Sequence, residues 1–487
     1  MAVRRRFVSL KTPMPGKMLR GLDDTVASRG VMWYNYRVSQ TLENQERRKG
    51  MIKRDYYLEK IKDKMWNGAV KIITGIRRCG KSYILNEIFR GYLLESGVTP
   101  DHIISVSLEL EEFESLQNPR ELSRFVRERV SDGGRYYVFI DEIQEARKVL
   151  KEGVDPAKTA KEDEPGIWFT FYDVLNSLNA KANLDIYVTG SNSKMLSKDV
   201  ATNFRGRKTE IEMHPLSFSE FHEWKGGDLL RDWDEYLTFG GMPQTVLERN
   251  EREKVAVLNE LFGNVYIKDV VERNGIADAT LLESIIDVVS SAVGSLTNPK
   301  RLSDTIISRE GGGPSAPTVR KYLGFLKEAY VFREAKRYDV RGRRYLDYPM
   351  KYYAEDVGLR NARLGFREQE ETHLMENVIF NELVRLGYSV DVGVVEFWDE
   401  EGGKSVVRRH EIDFVVNTGF EKIYIQSAFS VSDPQYRARE VLPFSKTGDN
   451  FRKIVVTSGA SRLWTDDNGI SYVGVLTFLL ELESILS

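Results

Sequence analysis

Short apolar runs rich in β-branched residues alternate with stretches of helical periodicity through the first half of the chain. AVKIITG leads into a glycine-bounded loop and the helical KSYILNEIFRGYLLES, and HIISVSLEL, RYYVFIDE and LDIYVTGS follow as further strand-like runs. This alternation predicts an α/β domain with a parallel sheet covered by helices, and such sheets hold ligands at the carboxyl ends of their strands. The charged KVLKEGVDPAKTAKEDEPG, with two prolines, reads as a surface insertion. Over residues 214–276 the periodicity is mostly helical, as expected of a lid on the sheet domain. Residues 277–348 carry three helical patterns and then a candidate hairpin, an order that suits a winged helix. The remainder, 349–487, combines a helix, ETHLMENVIFNELVRLGY, with strand-like runs such as HEIDFVV and KIYIQSAF, and predicts a separate α/β domain. The first fifty residues show no periodicity and carry Arg4, Arg5, Arg6, Lys11, Lys17 and Arg20, so a flexible basic arm is expected over 1–50 and the sheet domain over 51–213.

At 487 residues the chain exceeds one ordinary domain, in keeping with that division. Its 71 Lys and Arg stand against 73 Asp and Glu, a formal net charge of −2, so any nucleic-acid surface has to be local. Cys79 is the single cysteine, which excludes an intrachain disulfide and a cysteine-cluster zinc site and suits a reducing compartment. No uninterrupted apolar run reaches the length of a membrane span, and the expected site of action is cytoplasmic, away from membranes.

Gly75-Ile76-Arg77-Arg78-Cys79-Gly80-Lys81-Ser82 satisfies the P-loop pattern between a predicted strand and a predicted helix. Two glycines free the backbone to wrap phosphate oxygens, and amides at the start of the helix point inward. ATP is therefore expected against residues 75–82 and the adjoining Tyr83, with Lys81 a point charge on the β and γ phosphates and the Ser82 hydroxyl on Mg²⁺. YYVFIDE ends a strand in two acids: Asp141 is placed to hold magnesium through water, Glu142 to polarise an attacking water. Ser191 or Asn192, at the end of LDIYVTGSNS, would lie beside the γ phosphate. Gln144 reads either as a link to DNA or a neighbouring protomer, or as a solvated polar residue. Arg205 and Arg207 in FRGRK sit at the domain edge, where an arginine reaching into a neighbour's nucleotide makes turnover depend on assembly. Arg207 is the preferred finger, with a structural salt bridge as the competing reading.

ITGIRRCGKS, FIDEIQE, VTGSNSKML, FRGR with HPLSFSEF, GGMP and YIKDVVER, spread from about Arg54 to Arg273, together resemble the AAA-type P-loop ATPases of bacteria and archaea that carry a C-terminal domain of unknown function. A weaker likeness, AEDVGLRNA through HEIDFVV and KIYIQSAF, covers the end. The resemblance implies an AAA+ core with a helical lid, ATP hydrolysis, Arg207 as the finger, a winged helix and a restriction-endonuclease-like terminal fold. Nucleases of that kind need an acid on one strand and an acid-x-Lys triplet on the next to hold metal ions. The matching positions here would be Asp413 and Gln426-Ser427-Ala428, with Glu376 on the preceding helix. Gln426 and Ala428 break the pattern, since an amide is a poor magnesium ligand and alanine carries no charge. The domain is accordingly expected to be an inactive scaffold or a DNA dock.

KRYDVRGRRYLDYPMKYY packs Lys336, Arg337, Arg341, Arg343, Arg344 and Lys351 among Tyr338, Tyr345 and Tyr348, with a turn expected at Arg341-Gly342. On a winged helix this is the wing: cations would contact phosphates, tyrosines would stack on bases, and Arg320 and Lys321 on the preceding helix would approach a groove. A solvated or interdomain face is the alternative. The leading expectation is an oligomeric AAA+ ATPase, a ring such as a hexamer, that binds and remodels branched or single-stranded DNA. A nucleotide-dependent signalling switch with a protein partner and an ATP-driven nuclease are the rivals.

Overall fold

The computed structural model describes residues 52–154, 167–191, 208–367, 369–401 and 404–486. The expected arm over 1–50 lies outside them, as do most of the expected insertion and the site candidates Asn192, Arg205 and Arg207. The chain divides into two units, Met1–Lys53 and Arg54–Ser487, and the architecture described is that of the second.

Five strands, β1 (Val70–Thr74), β2 (Ile103–Ser107), β3 (Tyr136–Asp141), β4 (Leu184–Gly190) and β5 (Lys208–Glu212), form an all-parallel sheet in the order β2-β3-β4-β1-β5. β1, β3 and β4 are buried along their whole length, which is why they read as near-continuous apolar runs and not as alternating ones, broken by Lys71 of β1 and Asp185 of β4, which pair with each other inside the domain. Helices α1 (Asp55–Asp63), α2, α3 (Pro119–Arg129) and α4 (Phe171–Asn179) accompany the sheet, α2 being continuous through Lys81–Tyr83, a π-helical Ile84–Phe89 and Arg90–Glu95. One face packs Ile72, Val138, Ile140, Ile186 and Val188 with Leu122 and Val126 of α3 and Val174, Leu175 and Leu178 of α4. The other gathers Tyr137, Phe139 and Tyr187 around Phe89 of α2. Because β4 lies between β1 and β3, the strand ends that carry the P-loop, Asp141 and Ser191 sit side by side.

Helices α5 (Phe218–Lys225), α6 (Leu229–Phe239), α7 (Pro243–Leu247) and α8 occupy the predicted lid, α8 running through Glu251–Glu260, a π-helical Leu261–Ile267 and Lys268–Asn274. The phrase HPLSFSEF starts α5 by a capping box, in which Glu220 N donates to Ser217 Oγ at 3.2 Å and Ser217 N to Glu220 Oε2 at 3.0 Å. Three helices, α9 (Ala279–Ser291), α10 (Pro299–Glu310) and α11 (Ala316–Glu328), then precede a hairpin of β6 (Phe332–Asp339) and β7 (Arg344–Ala354).

The expected domain boundary at residue 348 is corrected by the strand pairing: it falls inside β7. β6 pairs in parallel with β8 (Ser389–Glu401), Arg337–Asp339 against Val392–Val394, so the hairpin belongs to the C-terminal sheet. That sheet has eight strands, the short Trp464–Thr465 followed by β12-β11-β10-β9-β8-β6-β7, where β9 is Lys404–Asn417, β10 Lys422–Ser427, β11 Arg452–Thr457 and β12 Ile470–Gly474. A free-standing hairpin would leave a row of main-chain donors and acceptors open, and β8 covers those of the Arg337–Val340 stretch. Helices α12 (Val357–Arg363), α13 (Glu371–Arg385), α14 (Pro434–Ser445) and α15 (Val475–Leu486) complete the fold.

GGMP and AEDVGLRNA turn out to be two halves of one contact between lid and α12. Gly241 N donates to Asp356 Oδ2 at 2.7 Å while Asp356 Oδ1 caps Leu359 N at 3.0 Å. A Cβ on Gly358 would stand 2.0 Å from Phe239 O, so only glycine permits this approach. Asn361 Nδ2 donates to Leu237 O at 2.8 Å and Thr238 O at 3.0 Å. Among the described residues no helix is long and apolar enough to cross a membrane.

Candidate nucleotide-binding site

The P-loop leaves β1 at Gly75, whose φ of 141° and approach to Met213 O, 2.0 Å from where a Cβ would stand, both demand glycine. The loop returns through Gly80, at φ 106°, directly into α2, whose first-turn amides lack intrahelical acceptors and face the loop. Lys81 is 3% exposed and its ammonium donates to Gly75 O at 3.2 Å and Ile76 O at 3.1 Å, so the charge lies within the loop's own curl. Cys79 is buried beneath, and burial pushes its thiol up. Tyr83 is half-buried on the first turn of α2. Arg54, which no motif singled out, braces the loop from behind. Its guanidinium donates to Cys79 O at 3.2 Å and His214 O at 2.7 Å and pairs with Glu220 at 3.0 Å.

Asp141 and Glu142 end β3 beside this loop, both buried. The Thr189 hydroxyl of β4 donates to Asp141 and accepts Glu142 N at 2.9 Å, a link that sequence reading missed. Burial pushes the Asp141 carboxyl up, while hydrogen bonds from Thr189 and Ser82 and the Lys81 charge pull it back. Ser82 and Asp141 are thus in contact, which suits a magnesium ion taking one or two protein oxygens and the rest from phosphates and water. Among the described residues no cluster of three or more His, Cys, Asp or Glu is placed to hold a metal, and a P-loop site needs none. Glu142 has left-handed backbone angles, φ 51° and ψ 53°, at the turn out of the strand. Gln144 Nε2 donates to its carboxylate and lies 3.4 Å from Ser191 Oγ.

The lid closes on the same point. Arg273 of α8 donates to Ser191 Oγ at 3.3 Å and to Asp269 at 2.9 Å, and Asp269 stands 3.5 Å from Arg77 of the P-loop. Tyr266 OH donates to Arg77 O at 2.9 Å. These residues come from the phrase YIKDVVER, where the four-residue spacing of Asp269 and Arg273 on one helix face was the available signal. Of the sequence-predicted residues, Gly75 to Ser82, Asp141, Glu142, Gln144 and Ser191 are brought together.

Residues 67–222 match the family model described as an AAA domain, and residues 230–370 match a domain of unknown function (DUF8612). The chain is 32% identical over 439 residues to an uncharacterized protein of Haemophilus influenzae, covering 89% of this chain and 100% of that one. The chain belongs to the AAA-type P-loop ATPases. An uncharacterized protein of Methanocaldococcus jannaschii is 25% identical over 448 residues, 86% of this chain and 88% of its own. Among solved structures, the Aeropyrum pernix ORC1 protein in complex with DNA is similar at 11% identity and a TM-score of 0.25, over 65% of this chain and 93% of that one. Cdc6p from Pyrobaculum aerophilum is similar at 9% identity and a TM-score of 0.26, over 67% and 94%.

In this AAA ATPase a second charged cluster lies in the C-terminal sheet. Glu376 of α13, Asp413 of β9 and Gln426 of β10 come together: Asp413 N donates to Gln426 Oε1 at 3.3 Å, and Ser427 N to Asp413 Oδ2 at 2.9 Å. Lys351 of β7, which sequence reading had assigned to the basic stretch, occupies the centre. It is 3% exposed, with Nζ 2.6 Å from Glu411, 2.8 Å from Glu376 and 3.2 Å from Asp413. The positive charge absent at Ala428 therefore arrives from another strand.

Burial pushes the Glu376 carboxyl up to about 7, Lys351 pulling it back and Asp413 adding to the rise. A carboxyl whose folded value exceeds its unfolded one holds its proton preferentially in the native state. Its contribution to stability is therefore full below about pH 4.5 and lost as pH rises through about 7. Urea unfolding of Glu376→Gln is expected to show a shallower fall of stability across that window than the parent; equal slopes would place the titration elsewhere.

The basic stretch is less one-sided than its composition. Arg320, Lys321, Lys336, Arg341, Arg343, Arg344 and Tyr345 are exposed and Arg337 is half-buried, and the turn falls between Asp339 and Arg344 as expected. Yet Arg344 pairs with Asp339 at 3.4 Å, Tyr345 OH donates to Asp391 at 3.0 Å, and Arg341 donates to Glu396 O at 3.3 Å. Arg320 lies over the Tyr348 ring at 5.5 Å and Lys321 over Phe325 at 5.6 Å.

Proposed function

We propose that this protein binds Mg²⁺-ATP on residues 75–83 and hydrolyses it to ADP and phosphate. The observation that carries the reading is the convergence of Lys81, Asp141, Glu142 and the lid's Arg273 at the adjacent ends of β1, β3 and β4. Lys81 would leave its carbonyl partners for the β and γ phosphates, to which an ammonium binds more strongly than to neutral oxygens. Ser82 and, through water, Asp141 would hold the magnesium, which neutralises phosphate charge as it develops. Glu142 would take a proton from the attacking water, and Ser191 would orient the γ phosphate. Arg207, with Arg205 beside it, would reach a neighbouring copy's nucleotide in a cytoplasmic ring.

The partner in this reading is DNA, met by α11 and the hairpin acting as a winged helix, with the C-terminal sheet a nuclease-like scaffold. Lys351 inside the carboxylate cluster argues against metal-dependent cleavage there. The Asp339 and Asp391 carboxylates that engage Arg344 and Tyr345, with the Glu396 main-chain carbonyl accepting Arg341, favour a second reading, a nucleotide switch whose hairpin meets a protein. Phosphate release measured with and without single-stranded, duplex, forked and four-way DNA separates the two. Under the first reading turnover rises with DNA and with protein concentration, and DNA affinity falls linearly with salt on logarithmic axes; turnover indifferent to every DNA supports the switch. Arg207→Ala is expected to lose turnover at unchanged ATP affinity, and full turnover in that variant removes the finger from the mechanism.

A further inference from the structure

We infer that Gln144 is the positioning residue for Glu142, and that the lid acts on hydrolysis through it. The inference rests on the hydrolytic reading of Glu142. A general base works only when a third group holds it in the productive orientation. Here Gln144 Nε2 donates to the Glu142 carboxylate, while Thr189 holds the Glu142 backbone at 2.9 Å, so main chain and carboxylate are each restrained by one partner.

Gln144 is restrained in turn. Its Nε2 lies 3.4 Å from Ser191 Oγ, and that hydroxyl accepts Arg273 at 3.3 Å. Arg273 pairs with Asp269, which stands 3.5 Å from Arg77 in the P-loop. An unbroken series of polar contacts thus joins the phosphate-binding loop, the lid helix and the carboxylate that activates water. A shift of α8 moves Arg273 and Ser191 and through the carboxamide reorients Glu142, while Tyr266 and Asp269 of the same helix carry it to Arg77 of the phosphate loop.

Two variants test this with the full-length chain and ATP. Gln144→Ala removes the donor, and kcat is expected to fall about 10- to 100-fold, less than the loss of the base itself, while KM stays within about twofold. Gln144→Met keeps the volume of the side chain but has no donor for Glu142. Its kcat is expected to fall as far as that of Gln144→Ala at unchanged KM, whereas a purely space-filling role would let methionine restore it. Wild-type kcat in either variant, or a change in KM alone, overturns the inference. Absence of turnover in the wild-type chain overturns the hydrolytic reading instead.

Discussion

Glu142→Gln is expected to lose ATP turnover by about two to four orders of magnitude and to retain the nucleotide. The retained affinity follows from the separation of tasks between strands. In the proposed reading phosphate lies on the 75–82 loop at the end of β1, whereas Glu142 emerges at the end of β3 and is attached to its neighbours through Thr189 and Gln144. Glutamine occupies the same volume, leaves the main-chain bond to Thr189 in place and adds no charge, so the loop is undisturbed. What it lacks is an oxygen basic enough to take the proton of the attacking water. Phosphate release together with binding of a fluorescent ATP analogue measures both halves; turnover above a tenth of the parent's would remove Glu142 from the base role.

Lys351→Met is expected to cost about 3–5 kcal/mol of stability, the range for breaking a buried ion pair from one side. Burial by itself pushes the Lys351 ammonium down, but Tyr353 and the three carboxylates outweigh it and hold the ammonium charged. Methionine preserves most of the volume, so the loss is electrostatic: Glu376, Glu411 and Asp413 are left facing one another across β7, β9 and α13. The deficit is expected to shrink as pH falls, because protonation relieves the repulsion, whereas a packing defect would persist. Urea unfolding at neutral and mildly acidic pH distinguishes these, and a deficit below about 1 kcal/mol would mean that the ammonium only borders the cluster.

How far the site was legible depended on how far each residue's partner stood along the chain. The P-loop is contiguous, so glycine spacing, lysine and hydroxyl carry its chemistry in eight residues. Asp141 and Glu142 were legible because the buried strand before them is an uninterrupted apolar run. Thr189 and Arg54 were not, since their roles are contacts across 48 and 25 positions of chain that the local sequence does not record; Arg273 acts across 82 positions, and its local signal was the four-residue spacing to Asp269.

The same distinction governs the C-terminal half. Periodicity and β-branching determined that helices and strands alternate there, and composition determined that it carries no cysteine chemistry, because both depend on neighbours within a few residues. Only the tertiary structure decided that β6 extends the terminal sheet, that GGMP meets AEDVGLRNA, and that Lys351 points into the acids and not toward solvent. A strand states which faces are apolar but not which edge it will pair, and edge pairing is settled by main-chain groups that every sequence shares.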